Sequence, residues 1–525
     1  MTATSPFPVA TSHAPAHTDV QYSPGGERTE YSDSRSHQHA KGKLHARERL
    51  ALLIDHGSFV EIGPERKHVA FGAGLDERRP AGDGVLTGWG RVDGRTVFVF
   101  AHDFTAFAGS LGATFADKIC KVMDLADAAG APVVGISDGA GARIQEGVDA
   151  LAGYGRIFRR NVAMSGVIPQ LSVLAGPCAG GAAYSPALTD FTFMVEGIAN
   201  SFITGPDVVR TVTGEDVSAD SLGGARLHAD RTGVAHFTFP DEAACFASVR
   251  SLLGYLPAAA GVPAPRGPVD DPADRACPEL NRIVPTDPRK SYDVRKVVTE
   301  VTDAGSWLEI GARWARNLVV GFARLNGQVV GVVANQPQAK AGVLDIAAAE
   351  KGARFVRFCD AFGIPLVTFV DVPGFLPGSR QEHGAIIRHG AKLLYAYCEA
   401  TVPRLQVVLR KAYGGAYIVM DSRSIGSDVA LAWPGNEIAV MGADSAVNLL
   451  YRRELAASED PSALHRDLTE RYRTLVSHPY AAAERGHVDD VIDPADTRRL
   501  LISSLEMLRG KTVMQRPRKH GNMPL

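Results

Sequence analysis

The chain repeats part of itself, and this duplication limits its possible folds more than any other feature of the sequence. Phe59–Gly63 returns as Trp307–Gly311, and Gly88–Gly94 returns as Gly321–Gly327. Each of the latter two segments leads into a run typical of a β-strand. Similar segments that recur in the same order along one chain indicate two copies of one structural unit. We therefore expect two domains of the same architecture.

The longest match shows what the repeated unit contains. Lys118–Asp138 aligns with Lys351–Asp371 without a gap. In the first copy, apolar residues follow helical spacing from Ile119 to Ala126, and Gly130 is placed to end the helix. A short apolar strand then runs up to the aspartate. The predicted unit is a helix, a tight turn, a buried strand and a loop that begins at the aspartate.

A third match ends in the same three residues in both copies. Leu174–Ala182 corresponds to Leu409–Ala416 and is one residue longer. Both segments end in Gly-Gly-Ala. Buried strands that alternate with helices predict a mostly parallel sheet with right-handed crossovers in each half. A lone glycine pair after a strand often only permits close helix packing. Its recurrence with different flanking residues favours a function of the backbone itself.

Composition and breaker residues divide the chain into four segments. Residues 1–40 are polar and are expected to form a disordered arm, and residues 41–260 form the first domain. Residues 261–285, which are rich in proline, are predicted to be a linker, and residues 286–525 form the second domain.

Overall charge and cysteine spacing exclude several classes of protein. The 56 Lys and Arg residues nearly balance the 58 Asp and Glu residues, so neither a nucleic-acid partner nor a membrane surface is indicated. No apolar run reaches the length of a membrane span. The six cysteines lack the spacing of a zinc ribbon or a disulfide framework. We expect a cytoplasmic, reduced protein without a metal site.

The Gly-Gly-Ala turns suggest a chemistry. A turn without side chains that joins a strand to a helix offers free backbone N–H groups, which can stabilise a negatively charged oxygen. Two such turns imply two oxyanions. Carboxyl transfer from carboxybiotin to a thioester requires two, because the acyl-CoA enolate oxygen and the ureido oxygen of biotin must both be held.

Longer stretches of the sequence carry a family resemblance. They are His39–Arg49, Gly141–Gly147, Gly176–Pro186, Thr204–Asp216, Asp371–Gly378, Arg388–Tyr397, Arg410–Tyr417 and Lys519–Leu525. In these stretches the chain resembles the carboxyltransferase β subunits of the propionyl-CoA and acetyl-CoA carboxylase family. The stretches are spread over nearly the whole chain after the arm.

The resemblance implies an α/β fold of tandem duplicated crotonase-like (ClpP/crotonase) domains. The first domain would bind acyl-CoA and the second biotin, with each active site formed between two subunits of a homo-oligomer, typically a hexamer. It implies a biotin-dependent acyl-CoA carboxyltransferase that makes an alkylmalonyl-CoA. Carboxybiotin would arrive on a biotin carboxyl carrier loaded by a biotin carboxylase, since this chain has no biotin attachment site.

The resemblance also assigns roles to individual residues. The amides of Gly180 and Gly181 would hold the thioester oxygen, and those of Gly415 and Ala416 the biotin oxygen. Further substrate contacts are expected at Ala140, Gly141, Arg143, Ala182, Tyr184, Tyr417 and Ile418. Arg143, Arg410 and Lys411 are candidates either for the CoA phosphates or for structural pairing with carboxylates.

Two positions depart from the family pattern. The segment Asp138–Arg143 reads Asp-Gly-Ala-Gly-Ala-Arg where many relatives have Asp-Ser-Gly-Gly-Ala-Arg, which puts the amide donors of that turn in question. Ile418 stands where propionyl-type members commonly carry Asp. An apolar side chain there favours longer acyl chains, because each buried methylene gains about 0.8 kcal/mol. The alternative is that Ile418 fills the pocket and restricts it.

Two short motifs and one related activity point to other functions. Gly135–Gly139 fits the Gly-x-Ser-x-Gly pattern of serine hydrolases, but the second copy lacks the serine. Gly510–Thr512 resembles the end of a phosphate-binding loop whose first glycine is absent. A biotin-dependent acyl-CoA decarboxylase subunit would use the same fold and remains the main alternative.

Overall fold

The computed structural model describes residues 35–514 and 516–524. Most of the predicted N-terminal arm therefore lies outside the described residues. The described end of that arm, residues 35–39, is helical, and Arg35 pairs with Glu48 at 2.9 Å. Regular structure thus begins earlier than the expected start at residue 41.

The first half consists of one sheet and the helices around it. Its strands are β1 (Val60–Glu61), β2 (Val85–Val92), β3 (Arg95–His102), β4 (Val133–Gly139), β5 (Gln170–Ala179), β6 (Phe191–Val195), β7 (Asn200–Phe202) and β8 (Phe237–Phe239). Its helices are α1 (Ala46–Leu53), α2 (Ala113–Ala129), α3 (Val148–Met164), α4 (Tyr184–Leu188), α5 (Pro206–Thr213), α6 (Ala219–Gly223), α7 (Ala225–Leu227) and α8 (Glu242–Leu253).

The second half has the same plan. Its strands are β9 (Leu308–Ile310), β10 (Leu318–Leu325), β11 (Gln328–Asn335), β12 (Leu366–Val372), β13 (Arg404–Tyr413), β14 (Val429–Ala432), β15 (Glu437–Ala439) and β16 (Asp490–Val491). Its helices are α9 (Leu280–Ile283), α10 (Val294–Val301), α11 (Ile346–Ala361), α12 (Ser379–His383), α13 (Ile386–Glu399), α14 (Gly414–Val419), α15 (Ala443–Leu450), α16 (Arg452–Ala457), α17 (Pro461–Tyr472), α18 (Pro479–Glu484) and α19 (Thr497–Met507).

Each sheet is parallel except at one end. In the first sheet the order is β1-β2-β3-β4-β5-β6-β8, with β7 beside β5, and the pairs from β3 onward are parallel. The second sheet runs β16-β14-β13-β12-β11-β10-β9, with β15 beside β13. An antiparallel hairpin, β2-β3 or β10-β11, precedes the parallel strands in both. The predicted mostly parallel sheets are confirmed.

The duplication extends to single hydrogen bonds. Arg47 of α1 bonds Glu61 at 3.1 Å, and Arg295 of α10 bonds Glu309 at 2.6 Å, the same pair in each half. Gly130 ends α2 in the left-handed conformation, as its position in the sequence predicted. The unit inferred from the sequence repeat is therefore present as a folded unit in both halves.

The two halves share an apolar core. Phe191 of β6 packs edge-on against Phe358 of α11, with ring centroids 4.7 Å apart. Arg354 of α11 donates to the backbone oxygen of Thr189 in the first half. The segment predicted as a linker, residues 261–285, contains α9 and is held in place, since Cys277 is fully buried and its N–H donates to Ala495.

Candidate active site

The first glycine turn, Gly180–Ala183, joins β5 to α4 as one turn of 3₁₀ helix. Gly180 has φ +63°, a conformation that favours glycine. A Cβ added at Gly181 would lie 3.0 Å from the ring of Tyr154, so a larger residue there would have to displace that ring. Ala182 is buried and fixes the turn to the core. The N–H groups that open such a turn have no acceptor within it.

The second glycine turn, Gly414–Ala416, repeats this geometry at the end of β13. Gly414 has φ +58°, matching Gly180, and the chain enters α14 directly. Gly415 is exposed, and a Cβ added to it would meet no atom within 4 Å. Ala416 is buried, like Ala182. Both turns therefore present backbone amides at the carboxyl end of equivalent parallel strands.

The loop after β4 packs beside the first glycine turn. A Cβ on Gly141, which has φ +92°, would lie 3.1 Å from the carbonyl oxygen of Ala179. The Ala140 N–H donates to Ala108 at 3.0 Å and is therefore already used. Among the described residues the Gly141 N–H has no backbone acceptor. Of these two predicted contacts, only Gly141 keeps an N–H without a backbone acceptor, and the residue itself is buried.

Three predicted substrate contacts flank the glycine turns. Tyr184 at the start of α4 is half exposed, and its ring meets Phe158 edge-on at 5.9 Å. Tyr417 is partly buried, and burial raises the pKa of its hydroxyl to about 12. Ile418 exposes 42% of its surface although it is a large apolar residue. Ile418 is thus open to a neighbour beside the second turn.

An aspartate at the end of β4 is the centre of a buried ionic cluster. Asp138 accepts from Lys43 Nζ at 2.5 Å and from Arg49 Nη1 at 2.8 Å. Arg49 also donates to Glu242 at 2.5 Å. Burial opposes the charge on Arg49, but the charges of Glu242 and Asp138 outweigh it and raise the pKa of the guanidinium. This cluster ties α1 and α8 to the strand end that carries Ala140 and Gly141.

The equivalent aspartate of the second half is anchored by different residues. Asp371 accepts from Arg410 Nε at 3.1 Å, from the Tyr292 hydroxyl at 2.9 Å and from the Lys411 N–H at 3.2 Å. Burial raises the pKa of Asp371, against the opposing effect of Arg410. The Lys411 ammonium donates to Pro288 at 2.6 Å. For Arg410 and Lys411, the structure favours structural pairing over contact with CoA phosphates.

Arg143 is likewise a structural residue in this chain. Its guanidinium is fully buried and donates to Asp83 at 2.7 Å and to Glu146 at 2.8 Å. It also lies over the ring of Phe107 at 4.3 Å. Glu146 in turn accepts from the Ala113 N–H that opens α2. The expectation that Arg143 contacts substrate therefore loses its basis, because no part of its side chain reaches the surface.

The anchors around Asp138 and Asp371 were not assigned from sequence. The signal present was the persistence of an aspartate at the same place in both copies of the repeat. Their cationic partners come from distant segments, such as Lys43 and Arg49, and no spacing rule connects them to the aspartate. Sequence could mark the position but could not identify its partners.

Residues 37–523 match the family described as the carboxyl transferase domain. The chain belongs to this family. It is 58% identical over 502 residues to the propionyl-CoA carboxylase carboxyltransferase subunit of Haloferax mediterranei, covering 95% of this chain and 96% of that protein. The propionyl-CoA carboxylase beta chain of Saccharopolyspora erythraea is 55% identical over 500 residues, covering 93% and 92%.

Another relative of this carboxyl transferase is named as a decarboxylase subunit. The methylmalonyl-CoA decarboxylase subunit alpha of Propionigenium modestum is 51% identical over 488 residues and covers 93% of this chain and 94% of that one. Among solved structures, the transcarboxylase 12S hexamer superimposes with TM-score 0.91 at 50% identity, covering 94% and 95%. A single-chain, multi-domain long-chain acyl-CoA carboxylase gives TM-score 0.78 at 27% identity, covering 91% of this chain and 47% of that one.

These likenesses confirm the family and the fold expected from the sequence. The chain is a biotin-dependent acyl-CoA carboxyltransferase with two crotonase-like α/β domains in tandem. The serine-hydrolase interpretation has no support, because Ser137 lies within β4 and is 9% exposed, whereas a nucleophile elbow exposes its serine at a sharp turn. Lys511 bonds Asp428 at 2.7 Å and thus has a structural partner.

The described residues provide neither a metal-binding cluster nor a membrane-spanning helix. Residues 35–514 and 516–524 contain no group of three His, Cys, Asp or Glu side chains arranged to hold a metal ion. Within the same residues, no helix combines the length and the apolar character needed to cross a bilayer.

Proposed function

We propose that this chain is the carboxyltransferase subunit of an acyl-CoA carboxylase and that it makes an alkylmalonyl-CoA. The observation that carries the proposal is the paired glycine turns, which have the same positive φ at Gly180 and Gly414. Two preorganised amide sites suit a reaction with two developing oxyanions. The relatives named as propionyl-CoA carboxylase subunits support the same conclusion.

The first half is proposed as the acyl-CoA side. The N–H groups of Gly180 and Gly181, with the Gly141 N–H beside them, would donate to the thioester oxygen. Donors fixed before the reaction stabilise the enolate oxygen more than the neutral carbonyl, since they strengthen as charge develops. Tyr184, which is half exposed beside the turn, would contact the acyl-CoA. The site then lowers the cost of removing the α-proton without a protein nucleophile.

The second half is proposed as the biotin side. The open space beside Gly415 fits a ring brought close to the backbone, because no atom lies within 4 Å of the position of a Cβ. The Gly415 and Ala416 amides would then donate to the ureido oxygen, with Tyr417 at the side of the ring. Carboxybiotin supplies the carboxyl group that is transferred. The residues of this half orient the ring and exclude water.

The proposal extends to assembly and partners. Large apolar side chains are exposed in both halves, among them Ile144 (89%), Leu151 (62%), Val440 (78%) and Leu449 (65%). Exposed apolar groups of this size favour burial against another subunit. With the hexamer reported for transcarboxylase 12S, they support a homohexamer with active sites between subunits. A biotin carboxylase and a biotinylated carrier are the proposed partners.

The cellular location and the acyl chain are finer points of the proposal. All six cysteines are free thiols, as expected in a reducing cytoplasm. The exposed side chain of Ile418 beside the second turn supports acceptance of acyl chains longer than propionyl. The opposite outcome, a sharp propionyl optimum, is expected if Ile418 instead fills the end of the pocket.

A reconstituted assay tests the proposal. The chain is mixed with a biotin carboxylase, a biotinylated carrier, ATP, labelled bicarbonate and acetyl-, propionyl-, butyryl- or hexanoyl-CoA. Acid-stable label that disappears when the chain is omitted supports carboxyl transfer. If no acyl-CoA is labelled while methylmalonyl-CoA loses its carboxyl group to the carrier, the chain is a decarboxylase subunit, the activity named for the Propionigenium modestum relative.

A further inference from the structure

A small cavity of about 20 Å³ borders the first glycine turn. Ala182 of the turn lines it, together with four polar side chains: His102, Ser137, Tyr154 and Ser185. A cavity of roughly 10–15 Å³ is large enough for one water molecule if two to four polar groups surround it. The cavity meets both conditions.

Three of the polar groups lack a partner within the protein. Neither ring nitrogen of His102 has a hydrogen bond among the described residues; Nδ1 is fully buried and faces Gly139, which leaves Nε2 for a ligand in the cavity. The hydroxyls of Ser137 and Tyr154 have no hydrogen-bond partner among those residues either. His102 is 6% exposed, and burial lowers its pKa to about 3. The ring is therefore neutral and offers one donor and one acceptor.

Such groups are costly to bury unpaired. A buried donor or acceptor without a partner loses about 1–3 kcal/mol. Ala101 of β3 and Ile136 of β4 are register partners, so the next residues, His102 and Ser137, lie side by side and face the same cavity. One ligand can therefore satisfy both side chains together with Tyr154.

The second half has no comparable set of unpaired polar side chains at the equivalent described positions. By the register of the repeat, His102 corresponds to Asn335, Ser137 to Val370 and Ser185 to Val419. Asn335 is fully used, because its Nδ2 donates to Gly342 at 3.1 Å and its Oδ1 accepts from the Asp371 N–H at 3.2 Å. Val370 is fully buried and Val419 is 6% exposed. The polar cavity thus belongs to the acyl-CoA side alone.

We propose that the cavity is a water-binding site and that the bound water, held by His102, Ser137 and Tyr154, positions the first glycine turn. The link to the turn is the Tyr154 ring, which lies 3.0 Å from where a Cβ on Gly181 would be. Fixing the Tyr154 hydroxyl fixes the ring, and the ring limits how far the Gly181 amide can move. The three side chains are positioning residues, and this role rests on the proposed function of the turn.

Crystallography of the full chain tests the water site independently of activity. We expect a water peak within hydrogen-bond distance of at least two of His102, Ser137 and Tyr154. A second crystal under xenon pressure should show no xenon there, because xenon enters dry apolar cavities. An empty or xenon-filled cavity overturns the proposal.

Kinetics of two variants test the positioning role, once the wild-type chain has shown carboxyl transfer. Tyr154→Phe keeps the ring and removes one partner of the water, whereas Ser137→Val replaces the hydroxyl with methyl groups, as in Val370. Both should lower kcat roughly tenfold with KM within about twofold, since small misplacements of catalytic groups are costly. Unchanged kcat in both variants overturns the role even if the water is seen.

Tyr255→Phe is the matched control for loss of a buried tyrosine hydroxyl. Tyr255 is 7% exposed, and its hydroxyl donates to Ser306 at 2.7 Å, away from the cavity residues. This variant should lower the melting temperature and leave kcat unchanged. If wild-type carboxyl transfer itself is absent, the proposed function fails, and the crystallographic result still decides whether the water site exists.

Discussion

The two halves of the chain have the same backbone geometry at the ends of their central strands, but different side chains hold that geometry in place. Both end a central parallel strand with a left-handed glycine, Gly180 or Gly414, and both place a buried aspartate at the end of the neighbouring strand. Asp138 is held by cations from the N-terminal segment and α1, whereas Asp371 is held mainly by Arg410 of the adjacent strand. Backbone geometry was kept through duplication, while the ion pairs that hold these two aspartates were not.

The largest expected difference between the halves is in stability. Arg49→Met should lower the stability by about 3–5 kcal/mol, because two buried carboxylates lose their shared cation at once, leaving Glu242 with the Leu44 N–H and Asp138 with Lys43. Arg410→Met should cost less, since Asp371 keeps the Tyr292 hydroxyl and the Lys411 N–H. Urea unfolding of both variants measures the difference.

Arg313→Met serves as the control for these two variants. Arg313 pairs with Asp230 at the surface, where both side chains are more than 40% exposed, and its loss should cost less than about 1 kcal/mol. If Arg410→Met proves as damaging as Arg49→Met, the two anchors are equivalent and the contrast between the halves is lost.

The glycine turns should respond differently to the same substitution. Gly415→Pro removes an amide donor while its fixed φ suits the first turn of a helix, and we expect kcat to fall roughly 10²–10³-fold. Gly415→Ala keeps the amide in open space and gives the matched control. In the first half, Gly181→Ala would crowd Tyr154 and should lower both activity and stability. Carboxylation rates and melting temperatures of the three variants check this.

The glycine experiment has a clear contrary outcome. If Gly415→Pro retains the activity of Gly415→Ala, the Gly415 amide contributes nothing to the reaction. The second turn would then serve only to let α14 pack closely, which is the simpler role of a glycine pair.

What could be predicted from sequence was the duplicated part. The match between Lys118–Asp138 and Lys351–Asp371 gave the helix, turn and strand correctly, because local spacing encodes them. The partners of Arg143 could not be predicted, since Asp83 is 60 residues away and no periodicity relates the two. The polar cavity was also hidden, because His102 and Ser137 meet only through strand register. Contacts that depend on register or on distant ions need the folded chain.

Two buried lysines at equivalent positions provide a smaller, pH-dependent comparison. Burial lowers the pKa of Lys351 to about 7 and that of Lys118 to about 8. An unfolded lysine titrates near 10.5, so the unfolded state binds more protons between these values and stability rises with pH there. The rise is at most about 1.4 kcal/mol per pH unit for each lysine.

Substitution of each lysine should remove its part of that rise. Lys351→Met should flatten the stability curve from about pH 7 upward, and Lys118→Met only from about pH 8. Unfolding midpoints at several pH values between 6 and 10 measure this. Identical curves for the wild type and Lys351→Met would mean that Lys351 is charged in the folded chain, held by its bonds to Gly311 and Trp314.

The smallest expected effect concerns substrate choice. Ile418 and Tyr184 occupy the same place after the two glycine turns, and both are largely open to contact. Ile418→Asp would place a carboxylate that is costly to desolvate against an acyl tail. The preference for butyryl-CoA over propionyl-CoA should then fall roughly fourfold per methylene, the equivalent of about 0.8 kcal/mol. Ile418→Val, which stays apolar, should keep the wild-type preference. Relative kcat/KM values across the acyl-CoA panel measure the preference of each variant. A wild-type optimum at propionyl-CoA would mean that Ile418 narrows the pocket.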